Sequence, residues 1–510
     1  QSETLVADFD PESFDPQANF FTRVGGGSLG GKARGLAFVR FLLNYHGVTR
    51  RFPGVNIGVP QAMVLATDVF DDFLDRNDLR AFALECQDES ELRHRFLASR
   101  LPQEVIESLE VFLDGVRWPL AVRSSSLLED SQYQPFTGVY ETFMLPNVSP
   151  SRDERLRQLV TAILRVYAST FSRQAKDYLR ATPYRLEQEK MAVVIQRIVG
   201  NTHGTRFYPD FSGVARSRNY YPSPGLAPED GVAVVALGLG RSVVEGERCL
   251  SFCPRDPKHI LQFSAVEDIL ANSQRDFWAV ELDARPTAEG EAMRETRFGL
   301  DVAVRDGTLY ALGSTYSREN NAISDGLGRP GVRLVTFAPI LKHGVFPLAE
   351  VLDLLLDLGQ SGMNRAAEIE FAARLSNDED VPHEFAFLQM RPLTLSFENE
   401  APDVDEPDTD RLLCESPRVL GNGTISDLRD IVVVDFHRFD RSRSVDAAAE
   451  VARFNTQLTA ERRPYLLIGV GRWGSTDPWL GIPVTWDQIS GARVIVESGF
   501  RDMRVTPSQG

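Results

Sequence analysis

Cysteine is scarce in this 510-residue chain: Cys86, Cys249, Cys253 and Cys414 stand at irregular spacing. That excludes a disulfide framework. Cys249 and Cys253 sit four apart, but no second pair of ligands nearby completes a zinc site. Long apolar runs are missing too. The longest, such as Val232-Ala233-Val234-Val235-Ala236-Leu237, are strand-sized, so no transmembrane helix and no membrane partner are expected. Positive charge is also in short supply. A formal net charge of −17 provides no basic field to displace counterions, which excludes nucleic acid and anionic membranes as main partners. A small anion is not excluded, because it needs only a few local cations. There is no internal repeat. The chain opens at Gln1 without an initiator Met or a basic-then-apolar leader, and it stops at Pro507-Ser508-Gln509-Gly510. The expectation is a portion of a longer protein, resident in the reducing cytoplasm.

What is present is ordinary globular composition, 43% hydrophobic and 25% charged, in a chain long enough for about three or four structural units. Residues 1–20 read as an acidic arm. A glycine-rich stretch, Val24 to Lys32, opens a helix through Tyr45. Val55 to Leu65 reads as one strand containing Pro60, with Thr67 capping the helix that follows. Leu79 to Gly115 reads as helical, Leu120 to Ser124 and Val139 to Leu145 as strands, and Glu154 to Leu179 as one long amphipathic helix. Strands are expected at Met191 to Gln196, Gly213 to Ala215, Val232 to Leu237, Phe277 to Val280 and Thr308 to Leu312. A helix over Leu348 to Leu358 precedes two further strands, Ala366 to Ala372 and Glu384 to Met390. Residues 398–410 are acidic and proline-containing, a linker composition. Beyond it, 411–510 form a smaller unit with strands at Ile431 to Val434, Tyr465 to Ile468 and Ala492 to Val496 and a helix around Val445 to Leu458. The alternation implies an α+β or α/β architecture.

Two groups of residues about 250 positions apart carry the chemistry. Arg123 leaves an apolar strand into Ser124, Ser125 and Ser126. A buried guanidinium there must find a carboxylate such as Glu129 or Asp130, or a phosphate. Gly138 lets backbone approach a ligand and Thr142 offers a hydroxyl, although a plain turn and strand residue read equally well. Glu368 and Glu370 are two apart on a strand and share one face, where like charges are unfavourable without a cation between them. If Gln389 and Arg391 lie on the adjacent strand, the four side chains form a patch able to hold Mg²⁺ and phosphate oxygens. The alternative is a solvated hairpin face. Lys32 sits at a helix start, where a cation is disfavoured unless an anion joins it. The loop is not a Walker A motif, since Ala33 follows Gly31-Lys32. Read together, the two groups form the walls of one ATP site.

In order, Gly30-Gly31-Lys32-Ala33-Arg34-Gly35, Val122-Arg123-Ser124-Ser125, Gly138 with Glu141-Thr142, Val194-Ile195-Gln196, Glu368-Ile369-Glu370 and Leu388-Gln389-Met390-Arg391-Pro392 resemble the nucleotide-binding region of the phosphoenolpyruvate synthase and pyruvate, phosphate dikinase family, which includes rifampin phosphotransferases. The resemblance spans roughly residues 20–397. It implies an α+β, ATP-grasp fold of two subdomains, 21–200 and 201–397; beyond it, the small α/β domain over 411–510 reads as a degenerate swivelling domain, an unrelated binding loop or plain core. It further implies ATP and Mg²⁺ as cofactors. Lys32 and Arg123 would contact phosphates, Gly138 and Thr142 would line the phosphate loop, and Gln196 would lie beside adenine. Glu370 and Gln389 would hold the metal with Glu368 nearby, and Arg391 would stabilise the transferred phosphoryl group.

The family passes phosphate through a histidine in a threonine-serine-histidine setting, and none of the seven histidines here has it. Only His437 lies beyond the linker. The loop Gly469 to Val484 places Ser475, Thr476 and Asp477 where that histidine would stand, and it carries Trp473 and Trp479 beside Arg472, either a stacking platform or core. No substrate barrel fits in the remaining residues. The expected activity is ATP-driven phosphoryl transfer to an unknown acceptor, small molecule or protein; the competing reading is an ATP-binding sensor or scaffold.

Overall fold

The computed structural model describes residues 6–16, 18, 20–126, 140–180, 185–220, 222–223, 225–260, 263, 265–283, 295–378, 380–393, 412–416, 419, 425–475, 477 and 479–500. Gly138, Glu129, Asp130, Thr476 and the acidic stretch 398–410 lie outside them. The chain divides into two compact units, one of Gln1–Ser217, Val232–Arg241 and Leu250–Thr394, the other of Arg218–Gly231, Ser242–Cys249 and Leu395–Gly510. Both are mixed α and β. No helix among the described residues is long and apolar enough to cross a membrane.

The first unit is built on two six-stranded sheets. One runs Ala7–Asp8, Phe21–Val24, Ala62–Leu65, Met191–Arg197, Leu120–Ser126, Thr142–Leu145; the other runs Leu250–Phe252, Val232–Leu237, Phe211–Arg216, Ala367–Arg374, His383–Pro392, Val55–Gly58. Strand parity explains both. In Met191–Arg197 the residues Met191, Val193 and Ile195 enter a helix-covered core with Phe70, Phe73, Leu109 and Tyr167, while Ala192 and Val194 pack on the other side against Ala33 and Leu36. In Ala367–Arg374 the residues Ile369, Phe371 and Ala373 enter the second core with Phe211, Phe337 and Leu352. The opposite face is left to Glu368 and Glu370.

Four expectations need correction. Val55 to Leu65 is two strands, Val55–Gly58 and Ala62–Leu65, in different sheets. Pro60, between them, lacks the N–H that a continuous ladder would need. Thr67 caps nothing: the Thr67–Arg76 helix has Ala66 at its N-cap with no side-chain bond, and the Thr67 hydroxyl accepts the Ser28 N–H at 2.9 Å. The long helix is Arg152–Ser169 followed by Arg173–Arg180, and Ser172 Oγ accepts the Ala175 N–H at 3.2 Å to start the second piece. Thr308 to Leu312 is a 3₁₀ turn over Thr308–Ala311, entered from Gly307 at φ 82°, with Thr308 Oγ1 donating back to the Ala303 carbonyl at 3.3 Å.

The second unit carries a parallel three-stranded sheet, Asp430–Val433, Tyr465–Val470 and Ala492–Ser498 in that order, with the Ser444–Ala460 helix as crossover between the first two. Val432, Ala448, Val451, Leu458, Tyr465 and Leu467 form its core. In the glycine-rich loop, the Trp473 indole N–H donates to the Val496 carbonyl at 3.2 Å and the Trp473 backbone N–H to Glu497 Oε1 at 3.0 Å. Trp473 is therefore a framework residue. Trp479 is 54% exposed.

Candidate functional site

The glycine loop reaches the first sheet at its serines. Gly30, at φ +73°, lies so close to the Ser125 carbonyl that a Cβ there would fall 1.8 Å from the oxygen, so only glycine fits. Ser125 Oγ donates to the Leu29 carbonyl at 2.8 Å and accepts the Ala33 N–H at 3.2 Å, which satisfies one of the orphan donors of the Gly30–Tyr45 helix. This fixes Lys32 in the first turn, 8% exposed, with Nζ 3.2 Å from Ser124 Oγ. A buried ammonium at a helix N-terminus suits an anionic ligand.

Arg123 shares its sheet face with Gln196 and Thr142. In register, Thr142 stands opposite Arg123 on one side, and Gln196 stands opposite Ala121, two residues back along Arg123's own strand. Thr142 is exposed. Gln196 is 2% exposed, and its Nε2 has no hydrogen-bond partner among the described residues. An orphaned buried amide is costly, by about 1–3 kcal/mol, and a ligand acceptor facing it would remove that cost.

From this sheet Arg123 crosses to the other. Its Nη1 donates to the Leu388 carbonyl at 2.7 Å, and its Nη2 lies 3.2 Å from Glu370 Oε2 and 3.0 Å from Gln389 Oε1. One carboxylate oxygen and one amide oxygen thus converge on a single cationic nitrogen. Glu129 and Asp130 are not needed to pair this guanidinium. Glu370 and Gln389 are direct cross-strand partners, as are Glu368 and Arg391. Between Glu370 and Phe371 the register shifts, with Leu388 the extra residue.

Glu368 differs from its neighbour. It is 3% exposed, and each oxygen is held by an arginine: Oε1 accepts from Arg391 Nε at 2.7 Å, Oε2 from Arg216 Nε at 2.5 Å. Burial pushes its carboxyl up, but Arg391 and Arg216 outweigh that and hold it below the usual value. Glu368, expected as an acid near the metal, anchors two guanidinium groups. Arg216, which sequence reasoning missed, stands directly opposite Glu368 on Phe211–Arg216. Its signal was the two-residue spacing from Val214 on an expected strand. A similar clamp links the sheets again where Glu384 pairs with both Arg197 and Arg374.

Lys32, Arg123, Gln196, Glu370, Gln389 and Arg391 are thus brought to facing surfaces of two sheets. Among the described residues no group of three or more His, Cys, Asp or Glu could hold a metal unaided. The Glu370 and Gln389 oxygens do fit a hard cation that draws its other ligands from phosphate, since the guanidinium nitrogen already marks a point where cation and oxygens meet.

Two facing sheets lined with cations and acids define an anion-binding α+β protein. More narrowly, the chain belongs to the family described as pyruvate phosphate dikinase, AMP/ATP-binding domain, which residues 27–411 match. It is 24% identical over 240 residues to an uncharacterized phosphotransferase, YvkC, of Bacillus subtilis, covering 47% of this chain and 25% of that protein. To the rifampicin phosphotransferase of Bacillus cereus it is 27% identical over 159 residues, 31% of this chain and 16% of that one. The matched parts span a quarter or less of those relatives.

Proposed function

We propose that this chain is the ATP-grasp module of an ATP- and Mg²⁺-dependent phosphotransferase of the phosphoenolpyruvate synthase type. The observation that carries the reading is the convergence of Glu370 Oε2 and Gln389 Oε1 on Arg123 Nη2. Lys32 and Arg123 bind phosphate oxygens. Gln196 donates its Nε2 N–H to the adenine, and Thr142 lies at the phosphate end of the same face. Glu370 and Gln389 hold the metal, which when bound neutralises phosphate charge and fixes the direction of transfer. Arg391, oriented by Glu368, meets the charge that develops on the transferred group, and Arg216 steadies Glu368 from the other side. Positioning and charge neutralisation supply the catalysis, so no covalent nucleophile is required of these residues.

The test is calorimetric titration of ATP with and without Mg²⁺. Glu370→Ala and Arg391→Ala, both folded, are expected to lose at least about tenfold in affinity. Unchanged nucleotide affinity in both variants would overturn the assignment. One observation favours a second reading, a sensor that binds ATP without turnover: none of the seven histidines has the carrier setting, and His437 lies exposed in a turn after Asp430–Val433. Steady phosphate or AMP release by the chain would exclude it.

A further inference from the structure

The glycine stretch that delivers Lys32 is gripped on two sides, by Ser125 and by Thr67. Thr67 is 2% exposed at the start of the Thr67–Arg76 helix and holds Ser28 twice: its N–H donates to the Ser28 carbonyl at 2.9 Å, and its hydroxyl oxygen accepts the Ser28 N–H at 2.9 Å. The pair copies the doubled bond of an antiparallel ladder, with a side-chain oxygen in place of one carbonyl. The next residue adds a third bond, from the Asp68 N–H to the Gly26 carbonyl at 3.2 Å. Both N–H groups belong to the first turn of a helix and have no intrahelical acceptor, so the glycine loop satisfies them.

The fit leaves no slack. Gly27 lies at φ +83°, and a Cβ there would fall 2.6 Å from Thr67 Oγ1 and 2.3 Å from Asp68 Oδ1. Further along, Ser28 Oγ accepts the Gly30 N–H at 3.1 Å, and Ser125 Oγ ties the Leu29 carbonyl to the Ala33 N–H. From Gly26 to Ala33 the backbone is thus fixed at short intervals by the protein's own groups. A loop ordered in advance spares a ligand the cost of ordering it, and a displacement of about 1 Å in such a loop carries over to the charge that it presents.

We propose that Thr67 is a positioning residue for phosphate binding: it touches no nucleotide and acts through the Ser28 peptide on the placement of Lys32. The inference rests on the nucleotide reading above and assigns the device that aims its phosphate loop. The experiment compares, in the full chain, Thr67→Val, which keeps the shape and removes the acceptor, with Thr67→Ser, which keeps the acceptor. MgATP affinity is measured by calorimetry, adenosine affinity by saturation-transfer NMR, and amide exchange over residues 25–33 by mass spectrometry. Thr67→Val is expected to weaken MgATP about tenfold, to leave adenosine within about twofold, and to speed exchange of the loop about tenfold, because the Ser28 N–H loses its acceptor. Thr67→Ser should return all three to within about threefold of the parent chain. If Thr67→Val fails to fold, Gly27→Ala, which drives a Cβ against the Thr67 hydroxyl, is expected to show the same selective loss of MgATP. Parent-like MgATP affinity in Thr67→Val would overturn the inference and leave the nucleotide reading standing. Equal weakening of MgATP and adenosine, with a lowered melting temperature, would make Thr67 a framework residue only. A parent chain that binds MgATP no more tightly than adenosine would overturn the nucleotide reading and this inference with it.

Discussion

The two units treat charge and aromatic rings in opposite ways. In the first, aromatic side chains fill two cores while Glu368, Lys32 and Gln196 are buried on polar faces and held there by opposing groups or left with an open donor. In the second, rings crowd an open rim and the charged groups are mostly exposed. A buried charge must be matched in place, so the first surface is rigid and its elements are interdependent; an open rim tolerates change.

The sharpest way to break this contrast is Glu368→Ala. It strands Arg216 and Arg391 against each other, and a loss of about 3 kcal/mol or more is expected in urea unfolding of the first unit. A loss below about 1 kcal/mol would mean the clamp is not structural. Next is pH. Asp210, raised to about 6 from 3.8 by burial despite the Leu375 N–H it accepts, favours folding below 3.8 and loses that contribution as pH rises through about 6. Asp210→Asn keeps the acceptor, and on the order of 2 kcal/mol of extra stability is expected at pH 8 with none at pH 3.5. Glu368 has the opposite sign. Its lowered value gives stability that is complete above 4.5 and lost as pH falls through the folded value, so Glu368→Gln should flatten the acid limb.

In the second unit, Gly469→Ala places a Cβ 2.1 Å from the Trp473 ring, and a loss of about 1–3 kcal/mol confined to that unit's transition is expected. The smallest stability effect separates ligand from framework. Gln196→Leu removes the orphaned amide and should leave stability unchanged or up to about 1 kcal/mol higher, while ATP affinity falls about tenfold. Stability loss with intact ATP affinity would make Gln196 structural.

Much of the first site was legible because parity writes it into the chain. Glu368 and Glu370 alternate with Ile369, and Arg123 with Val122. What could not be read was the partner of each charge. The Leu388 carbonyl carries no side-chain signature, and Arg216 gains meaning only when its strand is placed beside Glu368. The break after Ser169 and the turn at Thr308 were missed because local hydrogen bonds from Ser172 and Thr308 override a continuous apolar pattern. The aromatic rim of the second unit was hidden for another reason. Its members come from three separate strand ends, and Trp473 and Trp479, close neighbours in sequence, have unrelated surroundings.

Leu388 has a further consequence. Phe385, Phe387, Gln389 and Arg391 are all odd-numbered, so an unbroken ladder would send all four to one side. The extra residue acts as a frameshift in the strand: upstream of it odd positions spell core, downstream they spell chemistry. Flattening the bulge with Leu388 kept would therefore turn either the two phenylalanines toward the charges or Gln389 and Arg391 into the core, whereas deleting Leu388 would make Phe387 and Gln389 neighbours, leave both faces as they are and remove the carbonyl to which Arg123 donates. The bulge is thus as much a part of the site as its side chains.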